Sequence, residues 1–220
     1  MSKNNSISSR QYTIMPLGDS ITEGGGEFCC YRQILWQKLK AAGEPVEFAG
    51  SKSGSRFGGL PHEGYSGQPV EFIDENITML YRQNPADIVL LHSGHNHFAE
   101  EQPVPGIIAA TTSIIGKIRA INPEAIILLA QVITSGKLPK YSYIPELNMA
   151  LAELAKQLTT PLSPVIPVDQ AAGFDWRTDT VEDMVHPNAS GAGKMAEKWF
   201  QAIHAAILLK KRTIKHKFEF

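Results

Sequence analysis

Two cysteines in 220 residues are too few for a disulfide framework, and they are neighbours, Cys29 and Cys30. Vicinal cysteines strain the backbone if they close on each other, and neither stands at a zinc-type spacing. They read as small packing residues on a helix. Neither sign of charge prevails: 21 basic and 22 acidic side chains leave a formal net charge of -1. That balance removes the electrostatic motive for a nucleic-acid partner. No apolar run approaches membrane-span length, and the stretch from Met1 to Gln11 is polar, without a signal-peptide core. A cytoplasmic protein with no membrane contact is the expectation. Walker and Gly-x-Gly-x-x-Gly phosphate loops and the His-Glu-x-x-His zinc helix are missing. So is the Gly-x-Ser-x-Gly pentapeptide that presents a serine at a strand-to-helix turn.

What is present is an ordinary globular composition, 43% apolar and 20% charged. A chain of this size buries roughly 70% of the surface its unfolded form exposes. Short apolar runs alternate with amphipathic stretches. Strands are expected at Tyr12 to Leu17, Val46 to Ala49, Asp87 to Leu91, Ala125 to Val132 and Pro164 to Val168. Helices are expected at Tyr31 to Ala42, Pro69 to Tyr81, Ile107 to Ile121, Pro145 to Leu158 and Ala189 to Leu209. The Gly- and Ser-rich stretch Ser51 to Gly67 reads as a long surface loop. Five strands interleaved with helices imply an α/β fold, a parallel sheet covered on both faces. Residues 1–220 form one domain in this reading, with 1–11 and 210–220 as flexible ends. The basic stretch Lys210 to Lys217 then belongs to a frayed terminus.

In an open parallel sheet the reactive groups gather on loops at the carboxyl ends of the strands. Strand one delivers Gly18-Asp19-Ser20, and the long loop holds His62-Glu63-Gly64-Tyr65-Ser66-Gly67. The third strand delivers Ser93-Gly94-His95-Asn96-His97, and Asp183-Met184-Val185-His186-Pro187-Asn188 precedes the last helix. A hydrolytic serine needs a base for its proton, and the base needs a carboxylate to fix its tautomer. One turn can hold Asp183 against His186, while Pro187 keeps His186 extended. Ser20 is the candidate nucleophile. The developing oxyanion needs donors, for which the N–H groups of Ser20 and Gly67 and the side chain of Asn96 are candidates. Taken singly, a capping Asp beside a surface His, or an Asn in a turn, explains these residues equally well.

Pro16-Leu17-Gly18-Asp19-Ser20-Ile21-Thr22-Glu23-Gly24 resembles the first block of the SGNH/GDSL hydrolases. The segments ending in Gly67, holding Asn96, and running from Asp183 to Asn188 resemble their second, third and fifth blocks. The resemblance implies a single-domain, flavodoxin-like three-layer α/β/α sandwich and an ester hydrolase that needs no cofactor or metal. Tyr31-Arg32, Leu35-Trp36, Ala42-Gly43 and Val46-Glu47-Phe48 narrow it toward the acetylxylan-esterase branch, carbohydrate esterase family three. That branch removes acetyl groups from sugar hydroxyls. Two departures stand out: His97 occupies the place of an Asp that helps hold the third loop, and Met184 that of a Gly. Asp19, Arg32, Tyr65, His97 and Met184 are further candidates for lining the substrate path. The expected substrate is a small-molecule or carbohydrate ester, with lipid or thioester acyl hydrolysis second.

Two other classes remain open at this level. His92, His95 and His97, with Asp19 or Asp183, suggest a metal-assisted hydrolase. A flavodoxin-like binding module or a pseudoenzyme is the other; Asp19, Glu23 and Glu27 would repel a phosphate from the first loop. Nothing in the residues speaks to oligomeric state.

Overall fold

The computed structural model describes residues 11–28, 30–54 and 59–218, with 212–218 as backbone only. Among the described residues, seven strands run as β1 (Tyr12–Gly18), β2 (Val46–Phe48), β3 (Lys52–Ser53), β4 (Pro61–Gly64), β5 (Ile88–His92), β6 (Ile126–Gln131) and β7 (Val165–Asp169). The helices are α1 (Ser20–Glu23), α2 (Tyr31–Ala41), α3 (Val70–Gln83), α4 (Val104–Ile121), α5 (Ile144–Leu158), α6 (Trp176–Asp179) and α7 (Ala189–Phe218). The sheet order is β3-β4-β1-β5-β6-β7, with β2 also paired to β1. All pairings are parallel except β3 with β4.

The near-continuous apolar runs of β5 and β6 follow from burial on both faces. Side chains alternate across the sheet: Met15, Leu17, Val89, Leu91, Ile127 and Leu129 join one core with α3, α4 and α5. Tyr12, Ile14, Ile88, Leu90, Ile126 and Leu128 join the other with α2 and α7, where Trp199 is fully buried. Each fully buried Leu or Ile contributes about 1.5–3 kcal/mol relative to exposure.

Four expectations need correction. The stretch Ser51 to Gly67 is not a loop throughout, since it holds β3 and β4, and His62, Glu63 and Gly64 are buried. Pairing of Glu63 and Gly64 with Leu17 and Gly18 gives the segment a seat beside the end of β1. The basic stretch continues α7 to Phe218, and Lys210 reaches the carbonyl of Glu124; lysine is a good helix former and no Gly or Pro stops the helix there. Cys30 is not inside a helix but is the extended N-cap residue of α2, its buried thiol donating to the Thr22 carbonyl at 3.7 Å, while Cys29 lies outside the described residues. Finally, α4 is long and apolar enough, by length and composition, to cross a membrane. It packs as a core helix: Ile107, Ile114 and Ile118 face the sheet side, and Gly106, Ala109, Thr112 and Gly116 face solvent. Small residues outside and branched ones inside give it a buried stripe without charge contrast.

Candidate active site

Strand β1 ends where it must run very close to β5. A Cβ on Gly18 would stand 2.1 Å from the carbonyl oxygen of His92, so no other residue fits there. Asp19 follows in extended conformation and caps α1, its Oδ1 accepting from the Ile21 N–H at 3.0 Å. Ser20 is therefore the first residue of the helix, where a backbone N–H has no intrahelical acceptor. Its side chain lies 2.8 Å from His186 Nε2.

The loop bearing His186 is a compact turn built around Asp183. Asp183 Oδ1 accepts from the N–H groups of Val185 and His186 at 2.8 and 2.9 Å, and Oδ2 accepts from His186 Nδ1 at 2.5 Å. Partial burial pushes the Asp183 carboxyl up, but its bonds from the His186 ring and the two N–H groups bring it below its ordinary value. An ionised Asp183 holds the proton on Nδ1 and leaves the Nε2 lone pair for Ser20. The turn requires Met184 at φ 61, a left-handed conformation that a side chain disfavours, and this accounts for a glycine at that position in the motif it resembles. Two groups of the β6–α5 connection, Ser135 Oγ and the Gly136 N–H, hold the Met184 carbonyl.

The loop is anchored behind by Asp179, which is 1% exposed. Its carboxylate accepts from the Asp175 N–H, Ser190 Oγ and Lys194 Nζ at 2.8, 2.9 and 2.6 Å. Asn188 Oδ1 takes the N–H groups of Ser190 and Gly191 at the start of α7.

Asn96 stands after β5 at φ 68 and donates from Nδ2 to the Gln68 carbonyl at 3.0 Å. One amide hydrogen thus ties the β5 loop to the turn that contains Gly67 (φ 74), and the other remains available. His97 is buried and braces this loop, with Nδ1 3.1 Å from the His95 carbonyl and Nε2 2.9 Å from Glu71 Oε2. Tyr65 donates to Glu63 at 2.6 Å, and Glu63 also receives the N–H and hydroxyl of Ser51. Of the residues expected to line the substrate path, Met184 is exposed and Tyr65 half-buried, whereas Asp19 and Arg32 are fully enclosed. Arg32 instead donates to the carbonyls of Thr22, Leu60 and Glu23 at 2.7, 2.6 and 2.8 Å, clamping the end of α1 to the segment before β4. Its guanidinium matches a set of helix-end carbonyls, so it points inward.

Asp19, His92 and His95 offer one ligand atom each within 4.8 Å of one another, all buried. His97 and Asp183, the other residues weighed for a metal, are engaged elsewhere. Burial lowers His92 to about 4, so its ring is neutral. The Ile133 N–H points at His92 Nε2 at 3.4 Å, which puts the ring proton on Nδ1. Burial pushes Asp19 up, but contact with His95 and His92 and the bond from Ile21 hold its carboxyl below the ordinary value.

Sequence reasoning overlooked Phe28, whose ring lies on His186 with centroids 4.1 Å apart and planes at 20°. The run Gly24-Gly25-Gly26 before it was the available signal. A cavity beside His186 is lined by Gly26, Glu27, Phe28, Val181, Glu182 and Asp183.

A mostly parallel sheet presenting a serine, an imidazole and a carboxylate in hydrogen-bonded series is the arrangement that a serine hydrolase requires. The chain matches the GDSL-like Lipase/Acylhydrolase family over residues 17–194 and belongs to it. It is a carboxylic ester hydrolase with the SGNH hydrolase fold. A carbohydrate esterase family 3 protein from Talaromyces cellulolyticus is similar with TM-score 0.80 and 28% identity, over 91% of this chain and 99% of that one. An acetyl esterase mutant with acetate ion gives 0.79 and 28%, over 91% and 99%. A family 3 carbohydrate esterase from Clostridium thermocellum gives 0.78 and 28%, over the same 91% and 99%. No curated protein matches the chain.

Proposed function

We propose that this esterase removes acetyl groups from a carbohydrate through an acyl-Ser20 intermediate. The observation that carries the reading is the Ser20–His186–Asp183 series at 2.8 and 2.5 Å. His186 Nε2 takes the Ser20 proton as Oγ bonds to the ester carbonyl carbon. The carbonyl oxygen becomes an oxyanion, received by the N–H groups of Ser20 and Gly67 and the Asn96 amide. Collapse breaks the bond to the alcohol, which leaves with the proton from His186. Water then attacks the acyl group, His186 accepts its proton, and acetate departs with Ser20 restored. Asp183 stays ionised throughout and stabilises the imidazolium.

Two facts support the acyl and alcohol parts of the reading. Similar structures at 28% identity are an acetyl esterase and two family 3 carbohydrate esterases. The cavity beside His186 is lined partly by carboxylates, Glu27, Glu182 and Asp183, which accept hydrogen bonds from hydroxyl-rich alcohols. The test is hydrolysis of 4-nitrophenyl acetate and of acetylated xylose by wild type and Ser20→Ala, with chelator present throughout. Chelator-resistant acetate release that vanishes in the variant is expected. Equal rates in both proteins overturn the Ser20 assignment, and preference for long-chain or thioester substrates overturns the acetyl-sugar reading.

A further inference from the structure

His186 meets its two partners through the edge of its ring, Nε2 toward Ser20 and Nδ1 toward Asp183. The ring tilts by turning about its Cα–Cβ and Cβ–Cγ bonds, and two hydrogen bonds at its edge resist a push on its face only weakly. Such a tilt carries Nε2 and its lone pair out of line with the Ser20 proton. A third contact, on the face of the ring, is what stops the tilt. Phe28 makes it, at 4.1 Å between centroids and 20° between planes.

The phenyl ring reaches that position because of the residue beneath it. A Cβ on Gly25 would stand 2.2, 2.8 and 2.9 Å from Phe28 Cε1, Cδ1 and Cζ, inside any tolerable contact. Gly25 is thus a seat, and His186, Phe28 and Gly25 form one stack. The electron-rich face of the phenyl ring also lies within the range at which it attracts a cation, the state His186 passes through when it holds the serine proton.

We propose that Phe28, seated on Gly25, is a positioning residue that sets the plane of the His186 ring for proton transfer. The proposal rests on the Ser20–His186 chemistry set out above. Phe28 touches no reacting atom, and its effect reaches the reaction through His186.

The test is a steady-state comparison on 4-nitrophenyl acetate of wild type, Phe28→Ala, Phe28→Leu, Phe28→Tyr, Gly25→Ala and the Gly25→Ala/Phe28→Ala pair. Ser20→Ala is run alongside. Phe28→Ala should lower kcat by on the order of 10- to 100-fold, with KM changed by less than about threefold. Phe28→Tyr, which keeps a flat ring, should restore most of the rate, and Phe28→Leu, which keeps apolar bulk, should not. Gly25→Ala should slow the enzyme with Phe28 present and cost nothing more once Phe28 is Ala, because no ring remains to be displaced. A kcat for Phe28→Ala within about twofold of wild type overturns the proposal. A fully active Phe28→Leu, or a Gly25→Ala penalty that persists without Phe28, overturns it equally. If a Phe28 variant fails to fold, Gly25→Ala alone decides: an unchanged kcat overturns the seat and with it the stack. An esterase rate that survives Ser20→Ala overturns the underlying chemistry instead, which keeps the two failures apart.

Discussion

At the scale of single residues, the site is a set of short-range constraints on a few polar atoms. Asn96 is the clearest case, because one backbone bond to Gln68 holds its amide and leaves a hydrogen for the substrate. Asn96→Ala should lower kcat on the order of 10²–10³ if that hydrogen meets the oxyanion. A loss below about threefold would remove the role. Other residues fill places that their chemistry did not announce. Arg32 was legible as a polar residue near a helix start, but only the assembled fold reveals three carbonyls converging on it. His97 stands where the motif it resembles has an aspartate, and it braces the loop from two ring nitrogens. Phe28 had only the glycine run before it as a signal, because stacking on His186 links positions that only tertiary structure brings together.

At the scale of elements, periodicity carried most of the information. The buried runs of β5 and β6 and the stripes of α3 and α5 stand in the sequence as repeats of one to four residues. The pieces β3 and β4 do not, since they are two and four residues long and sit among glycines and serines. Their existence depends on pairing with β1, a contact that no local pattern encodes. The connection from α6 to α7 depends likewise on a buried charge. Asp179 receives three hydrogen bonds there, one from Lys194, so Asp179→Ala should destabilise the protein by about 2–3 kcal/mol. It should also lower kcat, since the turn holding His186 hangs from this anchor. Urea unfolding midpoints and kcat measured together check both halves. A variant that unfolds at the wild-type midpoint would show that the anchor contributes nothing.

At the scale of the whole molecule, ionisation sets a window of stability. Burial, with the nearby charges of Arg32 and Lys52, holds His62 at about 3, and burial holds His92 at about 4. Unfolded histidines titrate near about 6.5. As pH falls below that value the unfolded chain gains protons that the folded chain refuses, so stability declines. Asp19, Asp179 and Asp183 have folded values below the ordinary one. Their contribution is present above about 4 and disappears as pH falls through the folded values. At the other end, burial raises Tyr31, Tyr65 and Tyr143, so the unfolded chain loses protons first above about 10. Tm should therefore be flat from about pH 6.5 to 10 and fall on either side. A Tm that rises between pH 6.5 and 4 would contradict the buried, neutral histidines. The α/β/α class and the single sheet were legible from the alternation of runs, whereas the balance of buried ionisable groups was not, because a histidine or aspartate reads alike whether exposed or enclosed.

Ser20 follows the first strand and His186 precedes the last helix, 166 positions apart in the chain. All of β2 to β7 lie between them in the chain, so the pair forms only through the fold of the sheet. Catalytic turnover in this protein is therefore a census of complete molecules. A chain cut before His186, or one that begins after Ser20, keeps one member of the pair and never both.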